Sequence, residues 1–264
     1  MIFDSHAHLN FEAFKDDWEA VIKDCLDTDV WFICVGAQYA TSKRGVEIAN
    51  IYDEGVWASV ALHPIHVAGS SFRPEEFKPE DYDKLIKSSK KVVAVGETGI
   101  DFYHDDFTID KQKEVFIQHL DLAKQNNLPV IMHGRDNQDG TKNAYQEMLK
   151  ILKTQKVAGG VIHCFGGTVE EALEFNKLGF YVGFTATITF DKTGQMDQVV
   201  KAVPLDMMLI ETDSPYLTPA PYRGKRNQPQ YVKYVAEKIA EIRQIDYNKI
   251  EQQTVANAKK LFNI

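Results

Sequence analysis

The chain has 264 residues, a net charge of −8 and 26% charged side chains. That length can bury a sizeable core, and the acidic balance excludes a protein that wraps long nucleic acid through a broad basic face or lies on anionic lipid. Cys25, Cys34 and Cys164 form no CxxC pair and leave an odd thiol, so a disulfide framework is not expected and a reducing, cytoplasmic setting is. No apolar run nears the roughly 18 residues that span a bilayer. The acidic and lysine residues between positions 4 and 17 leave no room for the apolar core of a secretory leader.

Short apolar, β-branched runs recur along the whole chain. They cover residues 2–8, 30–37, 56–63, 92–98, 129–133, 160–165, 180–186 and 207–212. Between them lie longer charged segments with helical spacing, such as 110–127 and 141–154, and residues 231–243 and 247–262 read as closing helices. Continuous apolar strands alternating with amphipathic helices indicate a parallel sheet covered on its outer face. Eight such units, at about 33 residues each, match the size of a (β/α)₈ TIM-type barrel. An open doubly wound sheet fits less well, because no GxGxxG follows the first strand. No linker or composition shift divides the chain, so one domain over residues 1–264 is expected. The segment 214–229, SPYLTPAPYRGKRNQP, holds four of the nine prolines and reads as a stiff, shaped loop.

Histidines and carboxylates sit at the ends of these strands. The first run contains His6 and His8, the third ends in His63, the fourth in Glu97, the fifth in His133 and the sixth in His163, while Asp213 follows the eighth. In a barrel those ends converge on one face, and His6 and His8, two apart on a strand, point the same way. A lone histidine after a strand is usually a hydrogen-bonded structural residue; His66, His104 and His119 are read so. A set of histidines with two carboxylates is costly to bury without a compensating cation. Nitrogen and oxygen donors without thiolate suit Zn²⁺, Mn²⁺, Co²⁺, Ni²⁺ or Mg²⁺. His6, His8, Glu97, His133, His163 and Asp213 are too many for one tetrahedral ion, so two divalent cations sharing a carboxylate are expected. Cys164, beside His163, is expected to face the helix layer as a small apolar residue.

DSHAHL (4–9), GETGID (96–101), HGRD (133–136), HCFGG (163–167), ETDSPYLTP (211–219) and RGKRNQP (223–229) resemble the motifs of the TatD family, a branch of the metal-dependent amidohydrolase-like barrels. They occur in family order across nearly the whole chain. The resemblance implies a (β/α)₈ fold and divalent-metal-dependent hydrolysis, usually DNase activity that trims 3′ ends. Carried over position by position, His6, His8, Glu97, His133, His163 and Asp213 are the metal ligands, with Glu97 the bridging one. Gly166 departs from the family pattern, where serine is common.

On this reading His6, His8 and Asp213 serve one ion, His133 and His163 the other, and Glu97 both; Asp213 either also accepts the proton of the attacking water or is a ligand alone. Arg135, His63 and Arg223 are candidate substrate contacts, Arg135 through a bidentate fork to phosphate or else paired with Asp136. Lys225 and Arg226 complete a basic cluster that contacts phosphate or holds the loop. Tyr103 and Phe102 could stack a base or pack beneath the loop. The expected partner is DNA, as single strands or frayed ends, and RNA is a further possibility; no membrane association is expected, and the oligomeric state is open. A metal-dependent ester or amide hydrolase acting on, for example, an aminoacyl-RNA, and a metal-stabilised scaffold are the competing readings.

Overall fold

Apolar runs with no polar face must be covered on both sides, and the strands they form here are almost wholly buried. A computed structural model describes residues 1–104 and 109–264. The strands are β1 (Ile2–Ala7), β2 (Val30–Val35), β3 (Val56–Val60), β4 (Val92–Asp101), β5 (Val130–Arg135), β6 (Gly160–His163), β7 (Phe180–Phe184) and β8 (Met208–Ile210). All pair in parallel with their chain neighbours, in the order β1 to β8. The helices are α1 (Trp18–Asp27), α2 (Tyr39–Ala49), α3 (Pro79–Lys87), α4 (Ile109–Asn126), α5 (Ala144–Leu152), α6 (Val169–Lys177), α7 (Gln195–Ala202), α8 (Val232–Arg243) and α9 (Tyr247–Phe262). This is the TIM-type (β/α)₈ barrel, and the doubly wound sheet is excluded.

The seam between β8 and β1 closes at the C-terminal end of the strands. Asp213 N donates to His6 O at 2.9 Å and His8 N to Ser214 O at 2.8 Å. Beneath them the buried Asp4 carboxyl accepts from Thr212 N at 2.9 Å and meets Thr212 Oγ1 at 2.5 Å. The inner core at the opposite end comprises Phe3, Ile33, Val93, Ile131, Val161, Tyr181 and Leu209, sealed by Val255, Ala258 and Phe262 of α9. A larger apolar layer joins the strands to the surrounding helices.

Two strands depart from plain alternation where it matters. β1 pairs Asp4 with Phe32 but Ala7 with Cys34, one residue more than its partner. β4 likewise pairs Val95 with Val130 but Thr98 with Met132. Such bulges re-aim side chains beside functional sites: Ser5 reaches Glu211 Oε2 at 3.0 Å while its neighbour His6 reaches Glu97 Oε2 at 3.3 Å. β4 also runs three residues beyond the expected end at 98, carrying Asp101 to the mouth.

His119 is structural, as expected. It is buried in α4, with Nδ1 against Val115 O at 2.8 Å and Nε2 accepting from Leu62 N at 3.0 Å. Burial lowers its pKa to about 3, against the opposing hydrogen bond to Val115. The unfolded chain, with an ordinary histidine, therefore binds a proton first as pH falls. The stability His119 permits is complete above about pH 6.5 and is lost toward pH 3. Between pH 7 and 5 the wild type should lose about 2 kcal/mol more stability than His119→Gln, which keeps a donor and an acceptor. Denaturant unfolding at the two pH values checks this, and equal declines would contradict it.

Candidate metal centre

The C-terminal strand ends bring His6, His8, His63, Glu97, His133, His163 and Asp213 into one cluster. Glu97 stands at its centre, with its two oxygens facing different groups. Oε2 lies 3.3 Å from His6 Nε2 and 3.8 Å from His8 Nε2. Oε1 lies 2.9 Å from His133 Nδ1, 3.2 Å from His63 Nε2 and 3.8 Å from His163 Nε2. Asp213 Oδ1 is 3.3 Å from His8, 3.8 Å from His6 and 3.9 Å from His163. Asp213 has a φ of 56°, a left-handed conformation uncommon outside glycine, asparagine and aspartate.

The groups behind the histidines decide which nitrogens can accept a cation. A ligating imidazole typically donates its other N–H to a carbonyl or carboxylate. His8 Nδ1 meets Val35 O at 2.9 Å, which leaves the Nε2 lone pair facing Glu97 and Asp213. His163 Nδ1 lies 2.8 Å from Glu211 Oε1, and His133 Nε2 lies 3.0 Å from Asp101 Oδ2. His63 is built differently. Its Nδ1 accepts from Ile65 N at 3.1 Å, so Nε2 carries the proton and faces Glu97 Oε1 at 3.2 Å. Burial lowers His63 to about pKa 4 despite Glu97, which keeps it a neutral donor.

The charge balance also calls for cations. Burial would raise the carboxyls of Glu97, Asp101, Glu211 and Asp213, but the surrounding histidines hold all four below their ordinary range. Among the described residues no lysine or arginine pairs with any of them. Burial acts against protonation of the histidines, yet the carboxylates raise His133 to about 9 and His163 to about 10. His6 Nδ1 is buried without a hydrogen-bond partner. Ionised buried carboxylates that draw protons onto His133 and His163, beside the His8 Nε2 lone pair facing Glu97 and Asp213, fit a site where divalent metal takes the place of those protons.

Asp101 and Glu211 are site residues that sequence reasoning missed, although they lie inside the GETGID and ETDSPYLTP motifs. Asp101 is four residues after Glu97 on the same strand, so strand periodicity offers a signal for it, whereas Glu211 and Asp213 lie beyond the end of β8. Gly183 makes room for Glu211: a Cβ there would fall 2.6 Å from its Oε1. Cys164 corrects an expectation. It is not in the helix layer; with φ at 44° it breaks the alternation after β6, and its Sγ lies 3.3 Å from Thr185 Oγ1 on the side of Glu211 and Asp213.

The basic residues stand outside the histidine cluster, at the rim. Arg135 places its guanidinium over the Tyr103 ring at 3.5 Å, while Asp136 accepts from Ala144 N at 2.6 Å rather than pairing with Arg135. Arg223 lies over Phe190 at 4.1 Å. Arg226 holds the loop by a bidentate pair with Asp17 at 2.9 and 2.6 Å. Asn227 fastens the same loop by donating to Thr212 O at 2.9 Å and Tyr216 O at 2.5 Å. Phe102 is buried and Tyr103 exposed. His66 meets Phe72 O at 2.5 Å and His104 meets Asp101 at 3.3 Å.

A parallel barrel with nitrogen and oxygen donors gathered at its C-terminal mouth defines the class of metal-dependent barrel hydrolases. Likeness to known proteins narrows this. The TatD-related DNase profile matches residues 3–263, and the chain belongs to that family. It is 41% identical to the uncharacterized metal-dependent hydrolase YabD of Bacillus subtilis, with both chains fully covered. It is 36% identical to the uncharacterized metal-dependent hydrolase YcfH of Escherichia coli K12, over 100% of this chain and 96% of that one. The crystal structure of the TatD homolog YjjV from Escherichia coli K12 superposes with a TM-score of 0.87 at 28% identity, covering 100% and 98% of the two chains. The protein is therefore a TatD-family metal-dependent hydrolase with candidate metal-binding residues at the barrel mouth.

Proposed function

We propose that the chain is one hydrolase domain over residues 1–264, a divalent-metal-dependent deoxyribonuclease that trims DNA ends in the 3′ to 5′ direction. The observation that carries the two-cation site is the division of Glu97, whose oxygens each face a separate set of nitrogen donors, and the match to the TatD-related DNase family supports DNA as the substrate. His6, His8 and Asp213 would hold one cation, His133 and His163 the other, and Glu97 both. When bound, a pair of Mg²⁺, Mn²⁺ or Zn²⁺ ions supplies charge neutralisation on the phosphoryl group, an acidified water and support for the leaving oxygen.

The chain's own groups do the remaining work. Asp213 is the more open carboxylate, with its side chain 16% exposed against 5% for Glu97, and it takes the proton of the attacking water at Oδ1. With Glu97 engaged by the cations, the one N–H of His63, at Nε2, would serve a phosphoryl oxygen instead. Arg135 and Arg223, at the rim, meet the neighbouring phosphates of the strand. The three free cysteines suit a reducing cytoplasmic setting.

The substrate preference follows from charge and shape. An overall charge of −8 gives poor long-range attraction to a stiff duplex. A barrel mouth rimmed by a fastened loop accepts a flexible strand end more readily than the middle of a helix. A linear single strand should be shortened stepwise, a blunt duplex more slowly, and a covalently closed circle hardly at all, under identical metal and salt. Rapid nicking of the closed circle would overturn the end-trimming reading.

A further inference from the structure

Asp101 lies at the end of β4, two residues beyond Gly99, where the two strands touch. A Cβ at Gly99 would fall 2.1 Å from His133 O, and φ there is 148°. Glycine is therefore required for β4 to press against β5 at the level of His133. Gln112 of α4 then fixes the backbone of Asp101 from outside, accepting from its N at 2.8 Å and donating to its O at 3.0 Å. The carboxylate is buried and each oxygen has its own task. Oδ1 accepts from Tyr103 N at 2.8 Å and His104 N at 3.3 Å, an Asx-type turn that shapes the rim. Oδ2 meets His133 Nε2 at 3.0 Å, while the opposite ring nitrogen faces Glu97.

We propose that Asp101 is a positioning residue for His133: its Oδ2 takes the ring N–H and thereby turns the other nitrogen, with its lone pair, toward the cation shared with Glu97. The same carboxylate ties the Tyr103 turn, and with it the ring beneath Arg135, to the ligand. The inference rests on the metal-holding reading above. A carboxylate behind a ligating imidazole fixes its tautomer and raises its basicity, and losing one typically weakens metal binding about 10–100-fold. Asp101→Asn keeps an oxygen for the turn but offers an amide that cannot stand in for the anion. Asp101→Ser keeps an oxygen for the turn but is too short to reach His133, and serves if the first variant does not fold.

The test is direct titration of metal-stripped protein with Mn²⁺ alone, in competition with a chelating indicator, together with the melting temperature of the metal-free protein. The wild type should take up two ions, and the variants should weaken one of the two steps about 10–100-fold. Hydrolysis lost at low Mn²⁺ should be recovered at high Mn²⁺, which a collapsed site would not allow. Unchanged affinities in the variants beside a wild type that binds two ions would overturn this inference alone. Equal weakening of both steps with a lowered melting temperature would also overturn it, since that marks general loosening. A wild type that takes up no ion would overturn both this inference and the reading beneath it.

Discussion

Glu97→Ala is expected to lower hydrolysis by roughly 10³-fold or more, a loss of several kcal/mol of transition-state stabilisation, and to reduce bound metal from two ions to about one. Glu97 lies within 4 Å of five histidines, at 3.3 Å from His6, 3.8 Å from His8, 3.2 Å from His63, 2.9 Å from His133 and 3.8 Å from His163. A shared carboxylate screens two cations from each other, so its removal penalises the pair more than either ion alone. The barrel should still fold, because His133 keeps Asp101 and His163 keeps Glu211. Metal counting beside steady-state kinetics on the folded variant checks this, and unchanged stoichiometry would mean that Glu97 is not the bridge.

Asp4→Ala should produce the largest loss of stability, roughly 3–5 kcal/mol, from unmet backbone donors and a cavity. β8 has only three residues, so the seam depends on side-chain support. Asp4 accepts from Thr212 N at 2.9 Å and His6 N at 3.1 Å, and meets Thr212 Oγ1 at 2.5 Å. Burial raises its carboxyl to about 8, against the hydrogen bonds from Thr212 and His6, so it is mainly protonated at neutral pH. Asparagine reproduces that pattern, one oxygen accepting both backbone N–H groups and the amide facing the threonine. Asp4→Asn should therefore cost less than about 1 kcal/mol, whereas Asp4→Ala should lower the melting temperature by about 10 °C. Similar melting temperatures for the two variants would show that the seam does not depend on this contact.

Most of the barrel is legible in the chain because eight apolar runs are spaced as strand–helix units, and every strand starts within its run, although β4 and β5 continue past theirs. The closing helix α9 spans the same residues, 247–262, that its helical spacing marks out. His6, His8, Glu97, His133, His163 and Asp213 can be gathered from their positions in the chain, because barrel closure places all the strand ends on one face. What escapes such reading depends on non-local or subtle geometry. Asp101 reaches His133 only because β4 runs past residue 98, and its bulge shifts register. The proton on His63 Nε2 is set by the Ile65 amide. Cys164 departs from alternation through a left-handed backbone, and Arg226 finds Asp17 across 209 positions of chain.

The most direct measurement is cleavage of a linear single-stranded oligonucleotide by protein stripped with a chelator, before and after Mg²⁺ or Mn²⁺ is restored. The account predicts no detectable cleavage by the stripped protein and recovery on adding metal, with two ions bound per chain. Full cleavage by a demonstrably metal-free sample would contradict it.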